Sequence, residues 1–304
     1  MASHGIATAE RGMSATAGNW YDYVALLRPR DWIKNLFVLA PLLFSGKFRD
    51  PEAIKNAILA ALVFSVVSGA TYVWNDLCDR SADAAHPVKR HTRAIAAGRI
   101  SVGAGRAYLV FMLLVSAGLM YLMPAVVPAV LAYLILQTAY GLLLRQIPVL
   151  DLFAIATGFV FRVVAGSAAI DVKTSSWMFI ATVSLALYLA ASKRLAEMRS
   201  SGAGARLTLQ RYDEPTLEFF TQTSALAMAI FYVLFTVLER PALLHTSFFV
   251  FLGVFRYRYV TQKNATLETP SEILWNDKLL LGIMLLWVID CAVVLYLFPP
   301  PPLT

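Results

Sequence analysis

The fold follows from one stretch of the chain, Val73–Ser101, which reads VWNDLCDRSADAAHPVKRHTRAIAAGRIS. An apolar segment of roughly membrane-spanning length, about 54–74, leads directly into four oxygen-bearing side chains: Asn75, Asp76, Asp79 and Asp83. At about 100° per helical residue, these four side chains lie within about 100° of one another on one helix face. Oxygen ligands grouped in this way suit a hard divalent cation such as Mg²⁺, which also binds substrate phosphates.

The same stretch then becomes basic. After a helix stop predicted at His86-Pro87, it carries four cations: Lys89, Arg90, Arg93 and Arg99. Carboxylates for a metal followed by cations for phosphate predict a site that handles a diphosphate. The alternative is a polar helix end followed by a solvated loop, which needs no metal. We favour the diphosphate site because oxygen-bearing side chains at the end of a membrane helix are costly unless a positive group compensates them.

The composition excludes a soluble protein. Hydrophobic residues make up 59% of the 304 residues and charged residues only 15%, whereas about a quarter of the residues in soluble domains are charged. The formal net charge of +7 could indicate nucleic-acid binding. In a membrane protein it more often reports basic cytoplasmic loops, so we predict no nucleic-acid partner. Cys78 and Cys291 lie far apart in the sequence, and neither a structural disulfide nor a metal finger is predicted.

The chain is predicted to be all-α, a polytopic membrane bundle of nine transmembrane helices. The predicted spans cover roughly 32–46, 54–74, 106–122, 125–144, 149–170, 175–192, 219–238, 243–255 and 278–298. A flexible arm at 1–19 precedes a single transmembrane domain at 20–298 with catalytic loops at 75–105 and 193–218, and an extended tail at 299–304 follows. The arm lacks the apolar core of a signal peptide.

The lysine and arginine residues predict the orientation of this bundle. If the N-terminus lies inside, 20 of the 26 fall in inner segments and 5 in outer segments, with Arg162 inside a span. Such an asymmetry places the N-terminus and both catalytic loops in the cytoplasm and the C-terminus outside. That arrangement requires an odd number of spans.

Candidate substrate-binding residues also lie at the start of the first span. In LRPRDWIKN, Lys34 and Asn35 lie deeper than Arg28 and Arg30, and we predict that they belong to the site. For Arg28 and Arg30, contact with lipid headgroups is equally expected, because long cationic side chains commonly extend to the membrane interface.

The sixth span ends in a second charged group. In SKRLAEM, Lys193 and Glu197 share a helix face and Arg194 lies about 100° away. The alternative interpretation is an ordinary ion pair on a helix surface. We favour contacts to phosphate and substrate, because these charges follow directly on an apolar span and lie on the same side as the acidic motif. Glu197 could then orient a hydroxyl, hold Lys193 or reach a metal.

The fifth span contains an arginine. Arg162 lies near the middle of this apolar segment, where an unpaired cation is costly, so we expect it to face the bundle interior. Asp151 shares its face but lies about 16 Å away along the helix at 1.5 Å per residue. A counter-ion for a buried carboxylate and a substrate contact are equally expected roles for Arg162. Tyr140 and Arg145, at the end of the fourth span, are further candidates.

These residues carry a resemblance to a known family. NDLCDRSAD, at 75–83, is similar to the NDxxDxxxD motif of the UbiA-type intramembrane prenyltransferase superfamily, and the nine-span plan agrees with it. Within that superfamily, the chain resembles the branch that transfers phosphoribose to polyprenyl phosphates. The matching pieces extend from about Leu27 to Leu281 and are LRPRDWIKN, HPVKRHTRAIAAG, VLDLFAIATGFVFRVVAGSAA, SKRLAEM and SEILWNDKLLL.

The resemblance implies an enzyme of the bacterial cell membrane with Mg²⁺ as its cofactor, and a homo-oligomer is one expected state. Such enzymes transfer 5-phosphoribose from phosphoribosyl diphosphate to a polyprenyl (decaprenyl-type) phosphate and release diphosphate. The product leads to the D-arabinose donor of cell-wall arabinans, and relatives are associated with arabinose on nodulation signals.

The predicted site combines these segments. Asn75, Asp79 and Asp83 are predicted to hold the metal, and Asp76 is a further ligand or supports one. The carboxylates with predicted catalytic roles are Asp76, Asp79, Asp83 and Glu197. The predicted substrate-binding residues are Lys34, Asn35, Lys89, Arg90, Arg93, Tyr140, Arg162, Lys193 and Arg194.

The chain departs from the family pattern at two places. Ordinary members carry a second Asp-rich motif near the sixth span, where this chain has SKRLAE, which argues against a prenyl diphosphate donor. The branch usually reads KRxRPIA where this chain reads KRHTRAIA, with one residue more and Ala94 in place of proline, so the positions of His91 and Arg93 stay open. The alternatives are prenyl transfer to a small acceptor and a membrane transporter or scaffold, which would need a polar pathway across the bundle.

Overall fold

The computed structural model describes residues 18–85, 89–201, 211–263 and 269–299, with side chains as far as 199 in the second range. The predicted helix stop at His86-Pro87, most of the arm, the middle of the loop at 193–218 and most of the tail lie outside these residues. Within the described ranges the chain forms helices and no β-strand, which confirms the all-α fold class.

The helices are long, with short segments between them. The first part of the chain forms α1 (Trp20–Leu26), a 3₁₀ segment (Pro29–Leu39), α2 (Ala40–Ser45), α3 (Pro51–Cys78), α4 (Arg80–Ala85) and α5 (Lys89–Thr92). The middle part forms α6 (Val102–Leu122), α7 (Val127–Leu142), α8 (Leu150–Ala169) and α9 (Ser176–Ser201). The last part forms α10 (Glu214–Glu239), α11 (Ser247–Lys263), α12 (Pro270–Asn276) and α13 (Lys278–Leu297). Short 3₁₀ turns occupy Lys47–Arg49, Pro124–Val126, Leu144–Gln146 and Pro241–Thr246.

Seven helices in the described ranges are long and apolar enough to cross a bilayer, so the chain is a polytopic membrane protein. They contain α3, α6, α7, α8, α9, α10 and α13. The predicted span at 32–46 is divided between the 3₁₀ segment and α2, where prolines at 29 and 41 lack the amide donor of a regular helix. The span at 243–255 falls largely on α11, which has 17 residues. The total of nine spans therefore stays a prediction.

Polar side chains mark where several helices begin. The side chain of Asp50 accepts a hydrogen bond from the Glu52 amide before α3, and Ser101 does so from Ala104 before α6. Thr269 and Glu272 form a reciprocal capping box at the start of α12. These caps satisfy amides that have no partner within the helix, and they define the helix starts.

α3 and α8 lie inside the bundle, and α6 and α7 lie at its edge. The apolar stretch of α8 is 67% buried and that of α3 is 61% buried, against 17% for α6 and 22% for α7. The core around α3 and α8 contains Val38, Phe64 and Tyr133. The apolar side chains left exposed on α6 and α7 face the hydrocarbon, where they need no protein partner.

The 3₁₀ segment packs directly on α8 at a glycine. A Cβ atom added to Gly166 would lie 1.9 Å from the carbonyl oxygen of Val38, a distance that no side chain can occupy. Gly166 therefore permits the close approach of two backbones that is common between membrane helices.

Polar contacts at the two ends of the bundle fix which helix ends lie together. At one end, Arg145 follows α7 and contacts Asp79 at the end of α3. We call this the motif end. At the opposite end, Lys47 donates to the carbonyl of Ile170 after α8, and Arg240 after α10 donates to that of Phe44. All predicted catalytic residues therefore belong to helix ends at the motif end.

Candidate active site at the motif end

The acidic motif lies where α3 ends. Asn75 and Asp76 belong to the last turn of α3, Asp79 directly follows the helix, and Asp83 lies in α4. The Asp79 amide donates to the Asn75 carbonyl, and the Asp83 amide donates to the Asp79 carbonyl, both at 2.8 Å. Helical hydrogen bonding therefore continues from α3 towards α4, and the first part of the predicted loop at 75–105 is helical.

Asp76 is buried and holds two arginines from other segments. It forms an ion pair with Arg28, and the Nη1 atom of Arg93 lies 3.7 Å from its Oδ1 atom. Arg28 points inward, and its guanidinium lies 4.7 Å from the centre of the Tyr72 ring. Burial, and after it the neighbouring charge of Arg28, lowers the pKa of Arg93, while Asp76 opposes this shift. Asp76 thus joins α3 to the chain before the 3₁₀ segment and to the basic stretch after α5.

The other two carboxylates of the motif are each paired with a cation. Asp79 accepts hydrogen bonds from Nη1 of Arg145 at 3.0 and 3.1 Å. The Oδ1 atom of Asp83 lies 3.6 Å from the ammonium of Lys89. Asn75 faces α7, because a Cβ atom added to Gly141 would lie 3.6 Å from its Oδ1 atom.

A second charged cluster joins α8 to α9. Asp151 is fully buried and accepts a hydrogen bond from Nε of Arg194 at 2.9 Å. Arg194 also donates to Glu197 at 2.8 Å and to the Tyr140 hydroxyl at 3.0 Å. The ammonium of Lys193 lies 3.7 Å from Glu197. These residues lie in the last turns of α9, which continues to Ser201, so the first part of the predicted loop at 193–218 is helical.

The end of α7 connects the two charged groups. Tyr140, in its last turn, contacts Arg194 of the second cluster, and Arg145, just after it, contacts Asp79 of the acidic motif. The tertiary structure thus places the acidic motif and the end of the sixth predicted span on either side of one helix end. The carboxylates of the acidic motif point towards cationic side chains of the protein.

Tyr212 completes the second cluster. Its hydroxyl accepts a hydrogen bond from the Val149 amide at 2.6 Å and donates to Oδ1 of Asp151 at 2.8 Å. Burial raises the pKa of Tyr212, so the hydroxyl stays protonated and can donate. Val149 has a φ angle of 70°, which is unusual for a β-branched residue. Tyr212 and the role of Asp151 were not predicted from the sequence, because no spacing along the chain relates them to Arg194.

Lys34 and Asn35 are neighbours in sequence but make different contacts. Lys34 forms an ion pair with Asp31 at 2.9 Å, and Asp31 accepts a hydrogen bond from Ser271 of α12 at 2.8 Å. Asn35 is buried between helices and donates to Ser65 at 3.0 Å. Lys34 is thus held near the short helix α12, whereas Asn35 fastens the 3₁₀ segment to α3.

Arg162 is buried as expected, but its partners are uncharged. It donates to Asn35 at 2.9 Å, to the Gly158 carbonyl at 2.8 Å and to the Tyr133 hydroxyl at 3.3 Å. Its guanidinium carbon lies 4.9 Å from the centre of the Tyr133 ring and 5.5 Å from that of Phe159. No carboxylate in the described ranges forms an ion pair with Arg162, and Asp151 pairs with Arg194 instead. The amide of Asn35 and the aromatic rings stabilise the charge.

Arg90 differs from the other predicted phosphate ligands. Its side chain is exposed, and Nε donates to the ring of His91 at 2.8 Å. Lys89 and Arg93, which flank this pair, contact the acidic motif. Arg93 therefore lies beside Asp76 in the structure, while its match to the family pattern stays a prediction.

The donor atoms of the motif fit a metal bound together with a diphosphate. No three His, Cys, Asp or Glu side chains in the described ranges are grouped closely enough to hold a metal ion. Asn75, Asp79 and Asp83 nevertheless offer only oxygen atoms, which Mg²⁺ prefers. Arg145 and Lys89 now compensate two of these carboxylates. A metal–diphosphate complex could replace both ion pairs, because the metal would bind the carboxylates and the phosphate oxygens would bind the cations.

Comparison with known proteins identifies the family. The model of the UbiA prenyltransferase family matches residues 36–276. The chain belongs to the UbiA prenyltransferase family. The decaprenyl-phosphate phosphoribosyltransferase of Mycobacterium tuberculosis is 31% identical over 277 residues, which cover 87% of this chain and 91% of that protein. The enzyme of the same name from Corynebacterium glutamicum is 29% identical over 291 residues, which cover 91% of this chain and 87% of that protein.

The fold of this UbiA family member agrees with that of a solved relative. A UbiA homolog from Archaeoglobus fulgidus, determined with GPP and Mg²⁺, aligns with a TM-score of 0.71 at 20% identity, over 90% of this chain and 99% of that chain. The family and the fold together identify the chain as a membrane-embedded enzyme that transfers a group between substrates.

Proposed function

We propose that this chain transfers 5-phosphoribose from phosphoribosyl diphosphate to a polyprenyl phosphate and releases diphosphate. The observation that carries the proposal is the charged cluster at the end of α9. This cluster lies at the motif end, across the end of α7 from the acidic motif. Ordinary family members have a second Asp-rich motif in this region, whereas this chain has Lys193, Arg194 and Glu197 there. The similarity to two decaprenyl-phosphate phosphoribosyltransferases over most of the chain supports the same reaction.

The number of cations at the motif end suits these substrates. Phosphoribosyl diphosphate carries a diphosphate and a 5-phosphate, and the acceptor carries a third phosphate group. A prenyl diphosphate with an aromatic acceptor carries one diphosphate only. Cations from five segments of the chain lie at or near the motif end: Arg28, Lys34, Lys89, Arg90, Arg93, Arg145 and Lys193.

In this proposal Asn75, Asp79 and Asp83 hold Mg²⁺. When bound, the metal would supply Lewis-acid stabilisation of the negative charge that grows on the leaving diphosphate. The contacts of Asp76 favour a supporting role, because it is buried and already holds Arg28 and Arg93. Through them it would position positive charge beside the metal ligands.

The side chains of the protein perform the remaining tasks. Lys34, Lys89 and Lys193 neutralise phosphate oxygens, and Arg145 turns from Asp79 to the leaving diphosphate. An oxygen of the acceptor phosphate attacks the anomeric carbon of the ribose, and the bond from that carbon to the diphosphate breaks. Because a phosphate monoester is already anionic near neutral pH, no general base is required. Glu197, beside Lys193, orients a ribose hydroxyl.

The substrates also suit a site at a membrane surface. The orientation predicted from the basic residues gives the motif end access to a water-soluble donor in the cytoplasm of a bacterial cell. The polyprenyl tail of the acceptor stays in the hydrocarbon among the exposed apolar side chains of the bundle. The product would serve the synthesis of a D-arabinose donor, used either for cell-wall arabinan or for nodulation signals.

A donor assay tests this function. The purified protein in lipid nanodiscs is incubated with Mg²⁺ and either phosphoribosyl diphosphate with decaprenyl phosphate or a prenyl diphosphate with a small aromatic acceptor, and the products are analysed by mass spectrometry. The proposal expects decaprenyl phosphate to gain a phosphoribosyl group, with loss of the product when EDTA removes the metal and recovery when Mg²⁺ is restored. Transfer from the prenyl diphosphate alone would contradict the proposal and support a prenyltransferase, the second candidate that the solved relative with GPP favours.

A further inference from the structure

Arg194 has a protein partner on each of the three nitrogens of its guanidinium group. Nε donates to Asp151, Nη1 donates to Glu197 and Nη2 donates to Tyr140. The residue is only 3% exposed. Because all three nitrogens are used and little surface is accessible, Arg194 has little capacity left to bind a phosphate group of a substrate.

Asp151, the partner of Arg194 on α8, is itself held in place by hydrogen bonds. It is fully buried at the first turn of α8, where the helix dipole favours a negative charge. Its two oxygens have different partners, since Oδ2 accepts from Arg194 and Oδ1 accepts from the Tyr212 hydroxyl. The carboxylate is therefore fixed in direction, and it fixes the plane of the guanidinium.

Tyr212 connects this pair to the turn before α8. Its hydroxyl accepts the amide hydrogen of Val149, whose backbone has positive φ, and its ring packs against Phe220 of α10 with centroids 6.5 Å apart. One hydroxyl thus bonds the backbone before α8 and the carboxylate that orients Arg194. Leu152, Leu195 and Leu217 surround the group and keep water away.

We infer that Tyr212 and Asp151 are positioning residues, which act through Arg194 to hold Glu197 and Tyr140 in place for the transfer reaction. The inference rests on the proposed function, in which Glu197 orients a ribose hydroxyl, and on the sequence-based prediction that Tyr140 binds substrate. It gives Arg194 a different role from the phosphate contact predicted by its sequence position. Of the neighbouring residues Lys193 and Arg194, Lys193 is the one that contacts the substrate phosphate.

The balance of charges around Arg194 supports the different roles of Arg194 and Lys193. Arg194 has two carboxylate partners, Asp151 and Glu197, so its positive charge is compensated inside the protein. Arg194 binds three residues through three different nitrogens, and lysine cannot replace it because an ammonium lacks the planar fork that directs these bonds.

A double-mutant cycle tests the inference. Tyr212→Phe removes one hydroxyl, Arg194→Lys keeps the charge but loses the fork, and the double variant combines them. Initial rates of phosphoribosyl transfer are measured over ranges of donor and acceptor concentration. We expect each single variant to lower kcat about tenfold or more while the KM for the acceptor lipid changes less than twofold, because small misplacements of reacting groups reduce the rate strongly. The double variant should be little worse than the worse single variant, since both changes break one unit.

A matched control separates positioning from stability. Tyr232→Phe removes another buried hydroxyl, bonded to Thr246 at the opposite end of the bundle, and should leave kcat unchanged. Thermal midpoints of all variants are measured in the same detergent. Should Arg194→Lys fail to fold, Tyr212→Phe and Asp151→Asn form the cycle instead.

Three outcomes would contradict the inference. The first is a double variant whose loss of kcat equals the product of the two single losses, which means that Arg194 acts independently of Tyr212. The second is a rise in the KM for the donor with unchanged kcat in Arg194→Lys, which means that Arg194 binds phosphate. The third is an unchanged kcat in Tyr212→Phe. If the wild-type protein itself makes no phosphoribosyl lipid, the proposed function fails instead, and that result appears before any variant is compared.

Discussion

At the level of single residues, the three carboxylates of the acidic motif occupy different surroundings despite their common helix face. Asp76 and Asp83 are buried and Asp79 is partly exposed, but Asp76 is bound by two arginines whereas Asp79 and Asp83 each form an ion pair with one cation. With a single cation each, Asp79 and Asp83 are the carboxylates that would exchange a protein cation for a metal ion. Asp76 would lose two ion pairs in such an exchange, which is costly for a buried carboxylate.

Asp79→Asn should therefore reduce transfer strongly without unfolding the protein. The change keeps the shape of the side chain but removes the charge, and loss of a group that stabilises the reacting charges costs on the order of a hundredfold in rate. Initial rates at saturating Mg²⁺ measure the effect. Asp290→Asn is the matched control, since Asp290 pairs with His245 at 2.9 Å at the opposite end of the bundle. Equal activity of Asp79→Asn and the wild-type protein would contradict the proposed need for a negative charge at position 79.

At the level of elements, the 3₁₀ segment is the least regular part of the bundle and carries Lys34. It is held by the Asn35 hydrogen bonds to α3 and Arg162, by the Asp31 contact with α12, and by the close approach of Val38 to α8. A 3₁₀ helix of 11 residues is unusually long. These contacts with three helices stabilise a geometry that the segment would not keep alone.

Gly166→Ala should displace this segment. The added Cβ atom would meet the Val38 carbonyl oxygen at 1.9 Å, so the backbone around Lys34 must move. We expect a lower thermal midpoint in detergent and reduced transfer. Gly118→Ala is the matched control, because a Cβ atom there meets nothing within 4 Å and alanine favours a helix over glycine by about 1 kcal/mol. A Gly166→Ala protein as stable and active as Gly118→Ala would show that the close contact is unimportant.

At the level of the whole molecule, helix ends from α3, α4, α7, α8 and α9 converge at the motif end, so the predicted catalytic residues lie at one face of the membrane. The orientation of that face decides which compartment supplies the donor. The positive-inside asymmetry predicts the cytoplasm.

Cysteine labelling tests this orientation. In a Cys78→Ser background, Ser81→Cys lies at the motif end and Lys173→Cys at the opposite end, and both positions are exposed. Cys291 can remain because it is fully buried. A membrane-impermeant maleimide applied to intact cells should label Lys173→Cys and not Ser81→Cys, and inverted vesicles should give the reverse. The opposite pattern would place the motif end outside and contradict the predicted cytoplasmic site.

The all-α membrane fold, the acidic motif and the family could be predicted from the amino-acid sequence, because these depend on local properties. Apolar length predicts a span, and helical periodicity places Asn75, Asp79 and Asp83 on one face. The irregular 3₁₀ segment was not foreseen, since its geometry depends on packing against α8. The partners of the charged residues could not be predicted in this way and were revealed by the packing of the helices. Asp76 meets Arg28 across 48 residues, and Asp151 meets Arg194 across 43 and Tyr212 across 61. Such pairs form because helices distant in sequence bring buried charges together, and no local pattern specifies which charges will meet.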